Sequence, residues 1–288
     1  MTVVTPSIEM SHAQFETLRS GAYQRAGIVI PDEKLGLVRS RVRKRLKALA
    51  MSDVKSYLDY LQGPSGEGEW IHLLDVLTTN FTGFFRESAH FDFLRDRLVP
   101  AARPAADTGG ARSLRIWCAA AATGEEPYSI AMALDAALPR TDRWDVRILA
   151  TDISTRALDV AQAAVYPQDH LDTTDPSYRQ RYFEPGPEPN TVRVSAGIRG
   201  RVVYRRLNLM DAHWPLHGPL DAIFCRNAMI YFDAPTKAGL LGRFHALLAP
   251  GGYLFVGLSE SLTGLRHPYR TVAPGIHQRP DGDLPPGP

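Results

Sequence analysis

The sequence predicts a two-part protein: an all-α N-terminal domain over residues 1–99, then an α/β domain with a mostly parallel sheet over 114–280. Three observations carry this. Residues 11–98 show helical periodicity and no convincing strand. From residue 114 onward, short apolar runs of strand length alternate with amphipathic stretches of helix length. Between them, 100–113 is rich in Ala, Pro, Gly and Asp and reads as a linker. A change of pattern at about 175–200 marks a small antiparallel β-subdomain inserted in the sheet domain. The Pro- and Gly-rich 274–288, and 281–288 above all, is expected to be disordered.

In the N-terminal domain, Leu35, Val38, Val42, Leu46 and Leu49 form an apolar stripe at helical spacing. Lys34, Arg39, Arg41, Arg43, Lys44, Arg45 and Lys47 cover the other faces, with no acid among them. Such a helix is either a solvated face or a docking surface for an acidic partner, a nucleic acid or an anionic membrane. Arg39, Arg43 and Lys47 recur every four residues and share one face.

In the second domain, strands are predicted at 114–118, 145–150, 201–206, 220–225 and 252–257, and helices at 125–138, 154–164 and 235–248. The first strand runs into Ala119 to Gly124, where only small side chains stand and a ligand can approach the backbone. A helix follows, with Pro127 in its first turn. Strand, small-residue loop and helix open a nucleotide-binding α/β domain. The loop is no phosphate cradle, because Glu125 and Glu126 sit where a phosphate needs bare N–H donors. Acids at that mouth suit a ligand bearing an amine, hydroxyls or a sulfonium. Asp152 ends the second strand, a place from which acids accept hydrogen bonds from ribose hydroxyls. Its plainer alternative is an N-cap of the next helix, with Ser154 as the rival cap. Asn208 and Leu209 follow the third strand, where an amide and an apolar side chain suit an adenine edge and face, or a plain loop. Residues 225–232 end the fourth strand and bring Arg226, Asn227 and Tyr231 to one rim. Polar groups at a core strand's end need partners.

The formal net charge of +2 argues against a dedicated nucleic-acid binder. No apolar run of membrane-spanning length and no secretory signal is visible, so a cytoplasmic, monomeric protein without membrane insertion is expected. Nine histidines lack ligand spacing, and Pro215 breaks any helix between His213 and His217, so no metal centre is expected. Cys118 and Cys225 end neighbouring strands and read as small buried hydrophobes, with a redox pair as the alternative.

Four segments in order, 78–86 (TTNFTGFFR), 121–129 (AATGEEPYS), 150–153 (ATDI) and 225–232 (CRNAMIYF), resemble the CheR-type chemotaxis receptor methyltransferases, and the resemblance covers residues 12 to 278. It implies an all-α N-terminal domain and a Rossmann-like domain that binds S-adenosylmethionine and carries an inserted β-subdomain. It also implies methyl transfer to glutamate side chains of chemoreceptor cytoplasmic domains, giving methyl esters and S-adenosylhomocysteine. Carried over by motif, Asn80, Thr82, Arg86, Glu125, Asp152, Asn208, Leu209, Arg226 and Asn227 would bind the cofactor, and Tyr231 would lie beside the transferring methyl. Catalysis would rest on Tyr231 and Arg86, whose plainer readings are a core aromatic and a salt bridge to Glu87.

Ala122 stands where the family often has Ser, a loss of about 1 kcal/mol at most for one hydrogen bond. Ala228 stands where the family usually has Val. The turn between Phe183 and Val192 is short, which resembles the branch that docks without a receptor C-terminal pentapeptide. Two other functions share the fold: a methyltransferase of another protein or nucleic-acid substrate, and a non-catalytic cofactor-binding signalling module. An amino-directed DNA enzyme would carry Asp/Asn-Pro-Pro-Tyr where this chain has Arg-Asn-Ala-Met-Ile-Tyr, and a cytosine-C5 enzyme would carry Pro-Cys where Cys225 follows Phe224. A non-catalytic module has no need of Arg86, Arg226 and Tyr231 together.

Overall fold

The computed structural model describes residues 9–78, 82–102, 113–138 and 144–282. Four helices form the N-terminal domain: α1 (His12–Ala26), α2 (Leu35–Ala48), α3 (Val54–Gln62) and α4 (Gly66–Leu77). The first starts at a capping box, in which Ser11 and Gln14 satisfy each other's backbone N–H; Asp53 caps α3 through the Ser56 amide. The stripe of α2 does what its spacing predicts: Val38, Val42 and Leu46 are buried against Phe15, Leu18, Tyr57 and Leu73.

The basic side chains of α2 do not all face solvent. Arg45 makes a two-pronged pair with buried Glu69, both contacts 2.8 Å, and the Tyr57 hydroxyl donates to the same carboxylate at 2.7 Å. Arg41 donates to the carbonyls of Val76 and Thr78, and Arg39 to that of Met10. A guanidinium long enough to reach the helix's own support ties up there rather than waiting in water. Lys34, Arg43, Lys44 and Lys47 are the exposed set.

The sequence division puts the short helix α5 (Ala89–Phe93) and the π-helical turn Leu94–Leu98 that continues it within the N-terminal domain, 1–99; instead they pack into the core of the sheet domain, through Phe91, Leu94 and Leu98. Then follow β1 (Ser113–Cys118), α6 (Glu125–Ala137), β2 (Asp145–Asp152), α7 (Thr155–Ala163), β3 (Val165–Pro167), α8 (Pro176–Tyr182), β4 (Phe183–Pro185), β5 (Thr191–Val194) and α9 (Ala196–Arg199). The chain ends with β6 (Val202–Arg206), β7 (Leu220–Cys225), α10 (Ala234–Leu247), β8 (Leu248–Val256), β9 (Arg270–Ala273) and β10 (Ile276–Gln278). The main sheet has the order β6-β2-β1-β7-β8-β10-β9. Its five strands from β6 to β8 are parallel, and β10 pairs antiparallel with β8 and β9. Connections leave β1 toward β2 on one side, and the later strands lie on the other. The switch point therefore opens a crevice at the carboxyl ends of β1 and β7.

The structure departs from the sequence reading at the C-terminal end and in the small sheet. Residues 274–282 are ordered, because the chain turns after Ala273 and β10 closes onto β8; 283–288 lies outside the described residues. The small sheet, of order β3-β5-β4, draws its first strand from 165–167, ahead of the expected 175. Cys118 and Cys225 end the neighbouring strands β1 and β7 as small buried side chains, as read from the sequence; Cys118 is in register with Phe224, and both thiol pKa values are pushed well up by desolvation. A protonated buried thiol is inert, so a redox pair has no support here. No helix among the described residues is long and apolar enough to cross a membrane.

Candidate active site

The crevice at the switch point is a cleft open to solvent, with the N-terminal residues Ala26, Ile28 and Thr78 on its second wall. Its floor is the loop after β1. Gly124 ends that loop at φ +98°, and a Cβ there would stand 2.7 Å from Ala161 and 2.9 Å from the Tyr166 and Tyr204 hydroxyls, so only glycine lets α6 start so close to its neighbours. Ala119, Ala120 and Ala122 line the floor and leave its backbone approachable.

Asp152 stands at the cleft's second corner. Its carboxylate accepts the amide of Ala122 at 2.8 Å through one oxygen and that of Ser154 at 2.9 Å through the other. Ser154, not Asp152, caps α7, through the Ala157 amide. Burial raises the Asp152 carboxyl pKa, and the backbone N–H bonds oppose that rise. Each oxygen keeps acceptor capacity beyond its one amide.

Most of the other residues singled out in the sequence meet here: Thr82, Arg86, Asn208, Leu209, Arg226, Asn227 and Tyr231 all line the cleft. Asn208 is fixed across the domain boundary by donating to the Arg25 carbonyl and accepting the Met210 amide. Glu125 does not line the cleft; its carboxylate accepts from the Thr123 hydroxyl and lies 3.4 Å from His170. Glu126 lines it instead. Asn80 lies outside the described residues. Arg39, Arg43 and Lys47 are on α2, apart from the cleft lining.

Arg226 is a clamp. Its guanidinium meets Glu126 at 2.7 Å and Glu87 at 3.1 Å, and donates to the backbone carbonyl of Arg86 at 2.5 Å. Burial would raise the Glu87 carboxyl pKa, but Arg226 outweighs it and holds the value below the ordinary range. Glu87 pairs with Arg226 in this way. The segment that carries Arg86 turns sharply, with Phe85 and Glu87 at φ +53° and +57°, and is pinned by the Phe85 amide donating to Ser129. Phe84 anchors it edge-on between Tyr166 and Phe183. Nothing in the residue pattern points to Glu126 and Glu87 sharing one arginine.

The donor set fits a nucleoside sulfonium. An acid stands at the end of β2, Asn208 and Leu209 follow the neighbouring β6 and line the cleft with Ile28, the Glu126 carboxylate also lines it, and Nε of Arg226 is buried without a partner.

Comparison with known proteins agrees. Residues 13–78 match the family described as "CheR methyltransferase, all-alpha domain", and residues 80–275 match "CheR methyltransferase, SAM binding domain". The chain is similar to the chemotaxis protein methyltransferase of Klebsiella aerogenes, 42% identical over 258 residues, covering 89% of this chain and 86% of that protein. It is similar to that of Escherichia coli, 41% identical and covering 91% and 89%. Chemotaxis protein methyltransferase 2 of Pseudomonas aeruginosa is 41% identical, with 91% of each chain covered. With both domains matched and a cleft whose donors suit its cofactor, this chain belongs to the CheR methyltransferase family and is an S-adenosylmethionine-dependent methyltransferase.

Proposed function

We propose that this chain methylates glutamate side chains in chemoreceptor cytoplasmic domains, forming glutamate methyl esters. The observation that carries the reading is that Arg86 and Tyr231 line the same cleft as the ribose-binding candidate Asp152. Bound S-adenosylmethionine supplies an electrophilic methyl on a cationic sulfur, so no general base or covalent enzyme nucleophile is required. A substrate glutamate is already ionised at neutral pH. The protein's part is to align that carboxylate and exclude water.

In this reading Asp152 accepts from the ribose hydroxyls, and Asn208 and Leu209 meet the adenine edge and face. Glu126, on the cleft wall, receives the ammonium end, and Glu125 supports the loop through Thr123. Asn80, Thr82 and Asn227 complete the cofactor set by family motif. Arg86 and the Tyr231 hydroxyl orient the carboxylate. Arg226 acts through Arg86, whose backbone it holds. The exposed basic side of α2 meets a Glu-bearing receptor helix. The turn between β4 and β5, closed by Thr191 accepting from the Glu188 amide and donating to its carbonyl, leaves little loop for a tethering pentapeptide and favours docking without one.

The test is to incubate the protein with labelled S-adenosylmethionine and receptor-bearing membranes. Base-labile label on the receptor is expected; label on nucleic acid, or none on any receptor, overturns the reading.

A further inference from the structure

β7 and β8 are neighbours, with Cys225 in register beside Val256, so the chain leaves both strands side by side at their carboxyl ends. Residues 226–231 follow one strand and 257–260 the other. The first segment carries Tyr231 in a 3-10 turn, Met229–Tyr231. Three residues hold little structure of their own. The Tyr231 amide reaches the Ala228 carbonyl at 3.2 Å, and the Phe232 amide reaches that of Met229 at 3.1 Å. Asn227, which leads into the turn, sits at φ +57°, a conformation that a residue with a side chain keeps only when its surroundings fix it. Such a segment needs outside anchors. One is Val29, whose amide donates to the Tyr231 carbonyl at 2.8 Å.

The other is Glu260, which does not line the cleft and is only 6% exposed. One oxygen of its carboxylate accepts the amides of Gly257 and Asn227, at 2.7 Å each, and the other accepts that of Ile230 at 3.1 Å. Three converging N–H groups need an acceptor with two oxygens and no hydrogen of its own, which is an ionised carboxylate. Gly257 lets the two segments close up: a Cβ there would lie 2.5 Å from the side-chain nitrogen of Asn227 and 2.9 Å from Glu260. The same turn also holds the segment of Arg86, because the Leu258 amide donates at 3.2 Å to Glu87. Burying a carboxylate is costly unless its oxygens are satisfied. Here the donors that satisfy it belong to the start of the turn, and Tyr231, at its end, lines the cleft.

We propose that Glu260 is a positioning residue for methyl transfer: it locks the 227–231 turn to the end of β8 and so sets where the Tyr231 side chain stands in the cleft. This rests on the reading of Tyr231 as a group that orients the substrate carboxylate. Glu260 stays outside the cleft and acts through backbone amides.

The experiment uses Glu260→Gln, alone and combined with Tyr231→Phe. Glutamine keeps the shape but offers one oxygen and one NH2 group, so whichever way it turns a donor faces a donor. Receptor-bearing membranes and labelled S-adenosylmethionine give kcat and KM, calorimetry gives cofactor affinity, and hydrogen exchange read by mass spectrometry follows residues 225–232. Glu260→Gln is expected to lower kcat about tenfold, with receptor KM and cofactor affinity within about threefold. Exchange over 225–232 should quicken while β1 stays protected. In the Tyr231→Phe background the same change should lower kcat no more than about twofold, because the group being positioned is already gone. Losses that multiply in the double variant, or a KM and cofactor affinity that shift as much as kcat, make Glu260 a general support and overturn the proposal. So does unchanged exchange over 225–232, which decides the matter even where wild type labels no receptor and the receptor reading fails. A Tyr231→Phe enzyme that turns over like wild type overturns the reading of Tyr231; an unaffected Glu260→Gln beside an impaired Tyr231→Phe overturns the proposal alone. If Glu260→Gln does not fold, Glu260→Asp, with both oxygens but one methylene short, goes through the same cycle.

Discussion

Asp152 shows how one side chain serves structure and ligand together. Its carboxylate holds the amides of Ala122 and Ser154, yet α7 is capped by Ser154, so removing the carboxylate leaves the helix start in place. Asp152→Ala should weaken S-adenosylmethionine binding by about 1.5–3 kcal/mol, the range for a hydrogen bond to a charged group. Calorimetry on the folded variant checks this, and unchanged affinity would remove Asp152 from the ribose site. Tyr231 sits differently: its backbone carbonyl is held by Val29 and its side chain lines the cleft. Tyr231→Phe should lower kcat about tenfold or more with cofactor affinity nearly intact, as expected for a group that acts on the transferring partners. Equal turnover would make the hydroxyl structural. At this scale motif position brings most of the named side chains to the cleft lining, but not Glu125. Motif position marks Glu125, but the αL turn at Gly124 sets the phase of α6, and one step along a helix rotates a side chain by about 100°; Glu126 therefore takes the cleft wall. Arg226 reads as a cofactor-binding residue, and only the fold reveals two carboxylates and a carbonyl already engaging it.

Elements were legible where an apolar run had strand length and a clear boundary. The stretch 220–225 emerges as β7 with the same limits, and 145–150 as β2 extended by two residues to the site acid. Short strands were not. Three residues in β3 carry no period, and Pro274-Gly275 reads as a breaker where it is the turn between β9 and β10. The basic helix was legible as a stripe, but not in which cations would be used internally. That changes the test of docking. Because Arg39 donates to the Met10 carbonyl, its loss would disturb the domain as well as the surface. Arg43, Lys44 and Lys47 are exposed, and replacing all three with Ala should raise the receptor KM severalfold at low salt without altering cofactor affinity. The difference from wild type should shrink as salt rises, since exposed charges are screened beyond about 10 Å at 0.1 M. A triple variant that methylates receptor like wild type at low salt would reduce the helix to a solvated face.

At the scale of the whole molecule, the C-terminal hairpin that closes the sheet carries a pH liability. His90 of α5 is fully buried, edge-on to Phe255 of β8, and sits where the hairpin turn passes: a Cβ at Gly275 would lie 2.9 Å from its Nε2. His277 of β10 is buried too, with Nδ1 3.0 Å from the Thr271 hydroxyl. Burial lowers both pKa values to about 4, with Arg226 adding to the depression at His90, where Glu87 opposes it, and His267 adding to it at His277. The unfolded chain, with pKa near 6.5, binds protons first. Between pH 6.5 and 4 the unfolded state therefore holds more protons, and stability contributed by the neutral histidines is lost as pH falls through that window. Asp152, Asp221 and Glu260 push the other way, since burial raises their carboxyl pKa values and acid then favours the folded state. The informative quantity is thus a difference. His90→Gln, which has no proton to gain, should be less stable than wild type at pH 7.5, because the histidine's packing is lost. Relative to wild type it should recover about 2 kcal/mol by pH 5, an order-of-magnitude figure from linkage. Urea unfolding at several pH values measures it. Parallel pH profiles for the two proteins would mean that His90 titrates in the folded state as it does unfolded, and that the hairpin's seat on α5 does not depend on a neutral imidazole.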